Sequence, residues 1–363
     1  MATIAHRASA VRWTRERRGR LVLAGCAGLA GAGFIASLAL GPVAIGLGEL
    51  LAIAGKQVGL GDAGAVSPVK VGVVEAIRAP RALLGLAAGA ALGAAGAAMQ
   101  GFFRNPLADP ALVGVSSGGA LAAVAMIVLG AVALAPLVGV FGPFALPIVA
   151  FLGSLATVAA IYRISSIDGR VIVATMLLAG VAANALAYSG IGYLTFLADD
   201  QQLRTLAFWT LGSVGGATWG SVLPAVALML IATVALQSLA RPMNCLLLGE
   251  ADARHLGVDV EAVKRRAAVL TALGVGAATA VCGIVAFVGL VTPHLVRLMA
   301  GPDHRFVLPG SAVLGAALVL FSDLIARLAV QPAELPLGVV TAAIGAPFFF
   351  WLLLRDKKRG VLG

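Results

Sequence analysis

Of 363 residues, 60% are hydrophobic and only 12% are charged, and the mean hydropathy is +1.01. Soluble domains carry about 45–50% apolar and about 25% charged residues, so a water-soluble globule is excluded and the bilayer must be the solvent. The net charge of +10 does not mark a nucleic-acid binder, because no aromatic residues interleave with the basic ones to stack bases.

In chain order, residues 1–20 form a basic segment with Arg7, Arg12, Arg15, Arg17, Arg18 and Arg20, read as a cytoplasmic tail. The apolar run 21–40 follows. Its Leu23-Ala24-Gly25-Cys26 looks like a lipoprotein processing site, but only five apolar residues separate Arg20 from Cys26. A signal core needs about 7–15, so 21–40 is read as a first membrane span. Nine further runs near the required length of about 20 residues lie at 82–100, 111–135, 143–162, 171–197, 219–240, 267–283, 284–300, 307–328 and 336–354. Gly283 alone offers a break between the seventh and eighth. Residues 241–264 are the longest cytoplasmic connection, and residues 355–363 close the chain with Arg355, Lys357, Lys358 and Arg359. The reading is an all-α integral membrane protein, with one permease domain of about ten helices over 21–354.

An even number of spans puts both termini on one side. With both in the cytoplasm, 20 of the 26 Lys and Arg residues face inward, and Lys56, Lys70, Arg78, Arg81, Arg204 and Arg327 remain outside. This is the asymmetry that the positive-inside rule demands. Gly85, Gly89 and Gly93 recur every fourth residue in the second span, a small-residue face for close helix packing.

Groups that could do chemistry are sparse. The chain has no GxxxxGK[ST] phosphate loop, no HExxH and no Ser/His/Asp set, so no catalysis is expected and no metal site or cofactor is assigned to it. Three cysteines, Cys26, Cys245 and Cys282, show no disulfide or zinc spacing. Pro293 should kink or interrupt the eighth span, and His294 beside it reads as a positional hydrogen-bonding group. Only Asp323 lies well inside a span, four residues before Arg327, a spacing that pairs them on one helix face. Ion-coupled transporters keep intramembrane carboxylates or histidines for work, so the energy here should come from a partner. In 241–264, Pro242 should end the preceding helix, Gly249 and Gly257 punctuate, and residues 250–256 can form two helical turns. Such a turn on the cytoplasmic face is either a docking element or a plain loop.

Several stretches together resemble the permeases of the cobalamin, iron-siderophore and haem ABC importer family. They are Arg78-Ala-Pro-Arg81, Asn105-Pro-Leu-Ala-Asp-Pro110, Gly114-Val-Ser-Ser-Gly118, Leu177-Leu-Ala-Gly180, Gly249-Glu-Ala-Asp-Ala-Arg-His-Leu-Gly257, Phe287-Val-Gly-Leu-Val-Thr-Pro-His294, Glu334-Leu-Pro-Leu-Gly338 and Gly345-Ala-Pro347. The resemblance spans nearly the whole chain. It implies a fold like that of the vitamin B12 permease and a homodimer in the bacterial inner membrane. It also implies two ABC ATPase subunits below, which bind ATP and Mg, and a periplasmic substrate-binding protein above.

By that resemblance Gly249, Glu250, Ala251, Asp252, Ala253, Arg254, His255, Leu256 and Gly257 form the ATPase-coupling segment. Arg78, Arg81 and Arg327 would receive acidic residues of the binding protein, a task that suits the bidentate guanidinium. Val173, Ala174 and Thr175 would form the cytoplasmic gate, an apolar constriction. The cargo is a bulky metal chelate, with haem ranked first, ferric siderophore second and cobalamin third. Met99, Met126, Met176, Tyr188, Tyr193 and Met229 scatter over different spans and make no haem-ligand set. A stand-alone secondary transporter is the rival of another class, and the sparse intramembrane charge counts against it.

Overall fold

The computed structural model describes residues 2–57, 59 and 66–358. The end of the basic C-terminal segment, including Arg359, lies outside the described residues. Ten helices occupy the ten apolar runs: α1 Ala2–Ala39, α2 Ala79–Phe103, α3 Val115–Leu129, α4 Ala145–Ile164, α5 Val173–Leu197, α6 Trp219–Gln237, α7 Val260–Cys282, α8 Val288–Ala300, α9 His304–Leu328 and α10 Leu337–Lys358. The first helix starts at Ala2, so residues 2–20 of the basic segment continue the first span as helix. One sequence expectation changes. Pro242 does not end the sixth span, which stops at Gln237; it sits in the first turn of a short helix, Ala240–Leu246, where a missing N–H costs nothing.

α2 runs through the middle of the bundle, packed by α6, α7, α8 and α9. Its glycine face meets backbone: a methyl group on Gly89 would overlap the Gly315 carbonyl, on Gly93 that of Ser311, and on Gly96 that of Gly289. In lipid, helices gain little from hydrophobicity and associate through such close approach. α1 leans on α9, and a second layer of α3, α4 and α5 stands against α7.

Two helices are too short to cross. α3 has 15 residues and α8 has 13, which at 1.5 Å per residue is about 22 and 20 Å against a hydrocarbon core of about 30 Å. Irregular stretches, 104–114 and 283–287, precede these two helices, and non-helical backbone at membrane depth is tolerable only where protein covers it or a water-filled cavity meets it. Gly283 makes the expected break at φ +69°, since a side chain there would strike the Trp209 carbonyl. Ser213 N–H donates to the Cys282 carbonyl at 2.8 Å, and Leu337 N–H to that of Gly212 at 2.9 Å, closing the exposed backbone of the break. Pro293 lies inside a continuous α8. Its missing N–H leaves the Gly289 carbonyl without a helical partner, and the Gln100 amide of α2 reaches toward it at 3.5 Å.

Candidate functional sites

The cytoplasmic connection is built as the glycines suggest. Gly249 at φ +121° and Gly257 at φ +81° bracket a helix, Glu250–His255, with Glu250 and Asp252 in its first turn and Arg254 and His255 in its last, the order that its dipole favours. Ala253 is buried and anchors it, whereas Ala251, Asp252, Arg254, His255, Leu256 and Gly257 are exposed. Leu247, Leu248 and Leu256 stand out at 46%, 65% and 61% exposure, an apolar patch in a charged frame of the sort that marks an interaction surface. The preceding helix is tied to α9, because Asn244 Nδ2 donates to Asp303 Oδ1 at 2.7 Å and the His304 N–H donates to Asn244 Oδ1 at 2.8 Å. Partial burial pushes the Asp303 carboxyl up, but hydrogen bonds from the Arg305 side chain and N–H and from Asn244 outweigh it and hold the group below its usual range.

Val173, Ala174 and Thr175 make the first turn of α5, with Ala174 exposed. A two-stranded hairpin, β1 Ser166–Ile167 and β2 Arg170–Val171, feeds into this turn. Asp168 and Gly169 both take positive φ, 49° and 75°, as a type I′ turn requires. Lys264 of α7, which sequence reading counts only among the inward-facing cations, and Glu261, which it does not single out, stand between the hairpin and the 250–255 helix. Higher up, a cavity of about 280 Å3 lies between α3, α5 and the 284–287 break, with Asp109, Ser117, Asn184 and Tyr188 in its wall. Ser117 hydrogen-bonds to Asn184, whose Nδ2 donates to the Ala111 carbonyl at 3.2 Å.

The three outer arginines come together, but inside the protein. Arg78 is 4% exposed and donates to the carbonyls of Leu38, Ala39 and Val43. Arg81, 6% exposed, binds Asp323 through Nε and Nη2 at 3.0 and 2.8 Å, and binds Glu334 at 3.0 and 2.9 Å. Arg327 pairs with Asp323 at 3.2 Å, the expected i,i+4 contact, and donates to Ser37 Oγ at 2.8 Å. Sequence reading, by resemblance, offers these guanidinium groups to acidic residues of a binding protein. The structure commits each to partners within the chain, because a charge in this apolar setting must be compensated. Only the Glu334 side chain, 45% exposed, opens the cluster to the outside. His294 sits where α8 meets α10, its ring 6.0 Å from that of Phe348 in an edge-on contact.

A bundle of ten mostly apolar helices, with irregular segments before two of them and an exposed turn between the sixth and seventh, has the build of a multi-pass membrane protein. The chain belongs to the FecCD transport family, whose model matches residues 29–355. It is 45% identical to the hemin transport system permease protein HmuU of Yersinia pestis, over 78% of this chain and 83% of that one. It is 42% identical to the cobalamin import system permease protein BtuC of Halobacterium salinarum, over 79% and 74%. A solved structure, described as an inward-facing conformation of a metal-chelate type ABC transporter, superposes with a TM-score of 0.80 at 28% identity, over 93% of this chain and 99% of that one.

Proposed function

We propose that this permease carries haem from periplasm to cytoplasm across the bacterial inner membrane, as a homodimer driven by two ABC ATPase subunits and supplied by a periplasmic binding protein. The observation that carries the cargo is the 45% identity to a hemin permease; ferric siderophores and cobalamin are the competing chelates. ATP and Mg belong to the ATPases, and this chain contributes differential affinity between conformations. The 249–257 segment is the ATPase contact, which its exposed Leu256 and the exposed Leu247 and Leu248 just before it suit. Val173, Ala174 and Thr175 form the inner gate, reached from above along the open face of α5 past the Asn184 cavity. The outer corner around Arg78, Arg81 and Arg327 receives the binding protein. An acidic residue that seeks Arg81 from outside must displace Glu334, the exposed member of the cluster.

The test reconstitutes the permease with its copurifying ATPase and adds hemin, a ferric siderophore or cobalamin on the matching binding protein. Hemin should stimulate ATP hydrolysis and enter the vesicles. Stimulation by cobalamin and not by hemin would overturn the cargo, and uptake without ATP would overturn the class. Cysteines at the two copies of Ala174 should cross-link in a nucleotide-dependent way, and cross-linking indifferent to nucleotide would remove the gate.

A further inference from the structure

We propose that Lys264 and Glu261 are positioning residues that clamp the backbone of Val171 and so tie the coupling segment mechanically to the gate turn two residues further on. The inference rests on the reading of 249–257 as the ATPase contact and of Val173, Ala174 and Thr175 as the gate.

The geometry is specific. Lys264 is 2% exposed, and its ammonium lies 2.8 Å from Glu250 Oε1, 3.1 Å from the Val171 carbonyl and 3.8 Å from Glu261 Oε1. The longest of the three contacts is the one within its own helix, at i,i+3, so the lysine is spent on bridging elements and not on supporting α7. Glu261, one turn away on the same face, accepts the Val171 N–H through Oε2 at 3.0 Å. Both backbone groups of one residue are therefore held by two side chains of α7. The hairpin register explains why they are available. Val171 faces Ser166, while the flanking Ile172 N–H donates to the Ser165 carbonyl at 2.9 Å; in such a non-hydrogen-bonded pair the N–H and C=O point away from the partner strand. Val171 is buried in the core beside Val260 and Val263 of α7, and its polar groups would go unpaired without the clamp.

The other end of the linkage is the coupling helix itself. Glu250 begins that helix and meets Lys264; Arg254 ends it and meets Glu250 at 3.4 Å and Glu261 at 3.2 Å. Two carboxylates and two cations make a closed, neutral set in which neither acid can move alone. A shift of the 250–255 helix drags the Lys264 and Glu261 head groups, and with them residue 171. Only Ile172 separates that residue from α5. A flexible loop would absorb the push; a clamped backbone passes it on.

Lys264→Met keeps the length and apolar stem of the side chain and removes the bridge. With assembly and ATP hydrolysis retained, chelate transported per ATP should fall at least about fivefold, the low end of ordinary coupling between sites, and the nucleotide dependence of the Ala174 cross-link should disappear. Lys264→Arg and the charge exchange Glu250→Lys with Lys264→Glu should each recover part of the ratio. Glu261→Gln, which still accepts from Val171 but loses both cations, gives an intermediate loss and serves as the readout should Lys264→Met fail to accumulate. A wild-type ratio and cross-link in either variant overturns the clamp, as does a loss of transport and ATP hydrolysis in step, the mark of a merely structural pair. If the unmodified complex shows no nucleotide-dependent cross-link at Ala174, the gate reading fails and the inference with it.

Discussion

α2 and α5 are equally long, 25 residues each, and both are apolar, yet they live in opposite surroundings. In the apolar window containing α2, 83% of residues are buried; in that of α5, 17% are. Alanine and glycine let neighbours close on α2 from every side. α5 buries only Met176, Gly180, Ala187 and Leu194, one stripe turned to the bundle, and leaves Leu178, Leu186, Tyr193 and Phe196 open. Hydropathy says that both cross the membrane and cannot say what covers them. Packing does: α2 is a strut enclosed on every side, and α5 packs along one stripe and leaves the rest of its surface open.

The sharpest way to break this contrast is to add the same side chain to both helices. Gly96→Leu in α2 would drive into the Gly289 backbone, which cannot yield, and should exceed the roughly 1–3 kcal/mol usual for overpacking; the yield of monodisperse protein should collapse. Gly192→Leu in α5 meets nothing within 4 Å and should leave the melting temperature of the isolated chain unchanged while altering dimerisation or transport. Equal loss of fold in both would erase the distinction.

The next largest effect concerns how α2 is fixed at its outer end. Arg81→Met leaves Asp323 with Arg327 as its one ion-pair partner and Glu334 without the Arg81 pair, and should cost about 3–5 kcal/mol, as breaking buried pairs does. Glu334→Gln, at the half-exposed end of the cluster, should cost about 0–1 kcal/mol while changing the affinity for the binding protein. Melting curves with a pull-down separate the two. A harmless Arg81→Met would return that residue to the surface.

A smaller effect than that of Arg81→Met is expected at the inner end of α9, the helix packed against the α2 glycines. Asp303 caps α9 through the Arg305 N–H at 2.9 Å, so Asp303→Ala should cost about 0.5–2 kcal/mol. Its carboxyl is held below the usual range when folded. The stabilisation is therefore present above the ordinary carboxylate value of about 3.9 and is lost as pH falls through the lower folded value. The difference in melting temperature between wild type and variant should shrink on acidification and persist at neutral pH.

The spans, their number and the break at Gly283 were legible because each is written locally, in an apolar run or in a residue that tolerates positive φ. The helix Glu250–His255 was legible for the same reason, bracketed by Gly249 and Gly257. The partners of the outer arginines were legible only where they are local, as for Asp323 and Arg327: Arg81 and Asp323 lie 242 positions apart, and no local pattern carries that meeting. The grip of Lys264 on Val171 joins positions 93 apart, and only a non-hydrogen-bonded hairpin register shows that Val171 has groups to offer.

The central claim is that α5 moves against a strut formed by α2 and its neighbours. Spin labels at Ala174, in the first turn of α5, and at Leu107, beyond the inner end of α2, measure this directly in the permease–ATPase complex, with a Leu107 to Val269 pair reporting on the strut; all three sites are exposed, and Leu107 sits on a turn. On adding ATP the Ala174 to Leu107 distance should change by several ångströms while the Leu107 to Val269 distance holds. Equal shifts in both pairs, or none in the first, would contradict the account.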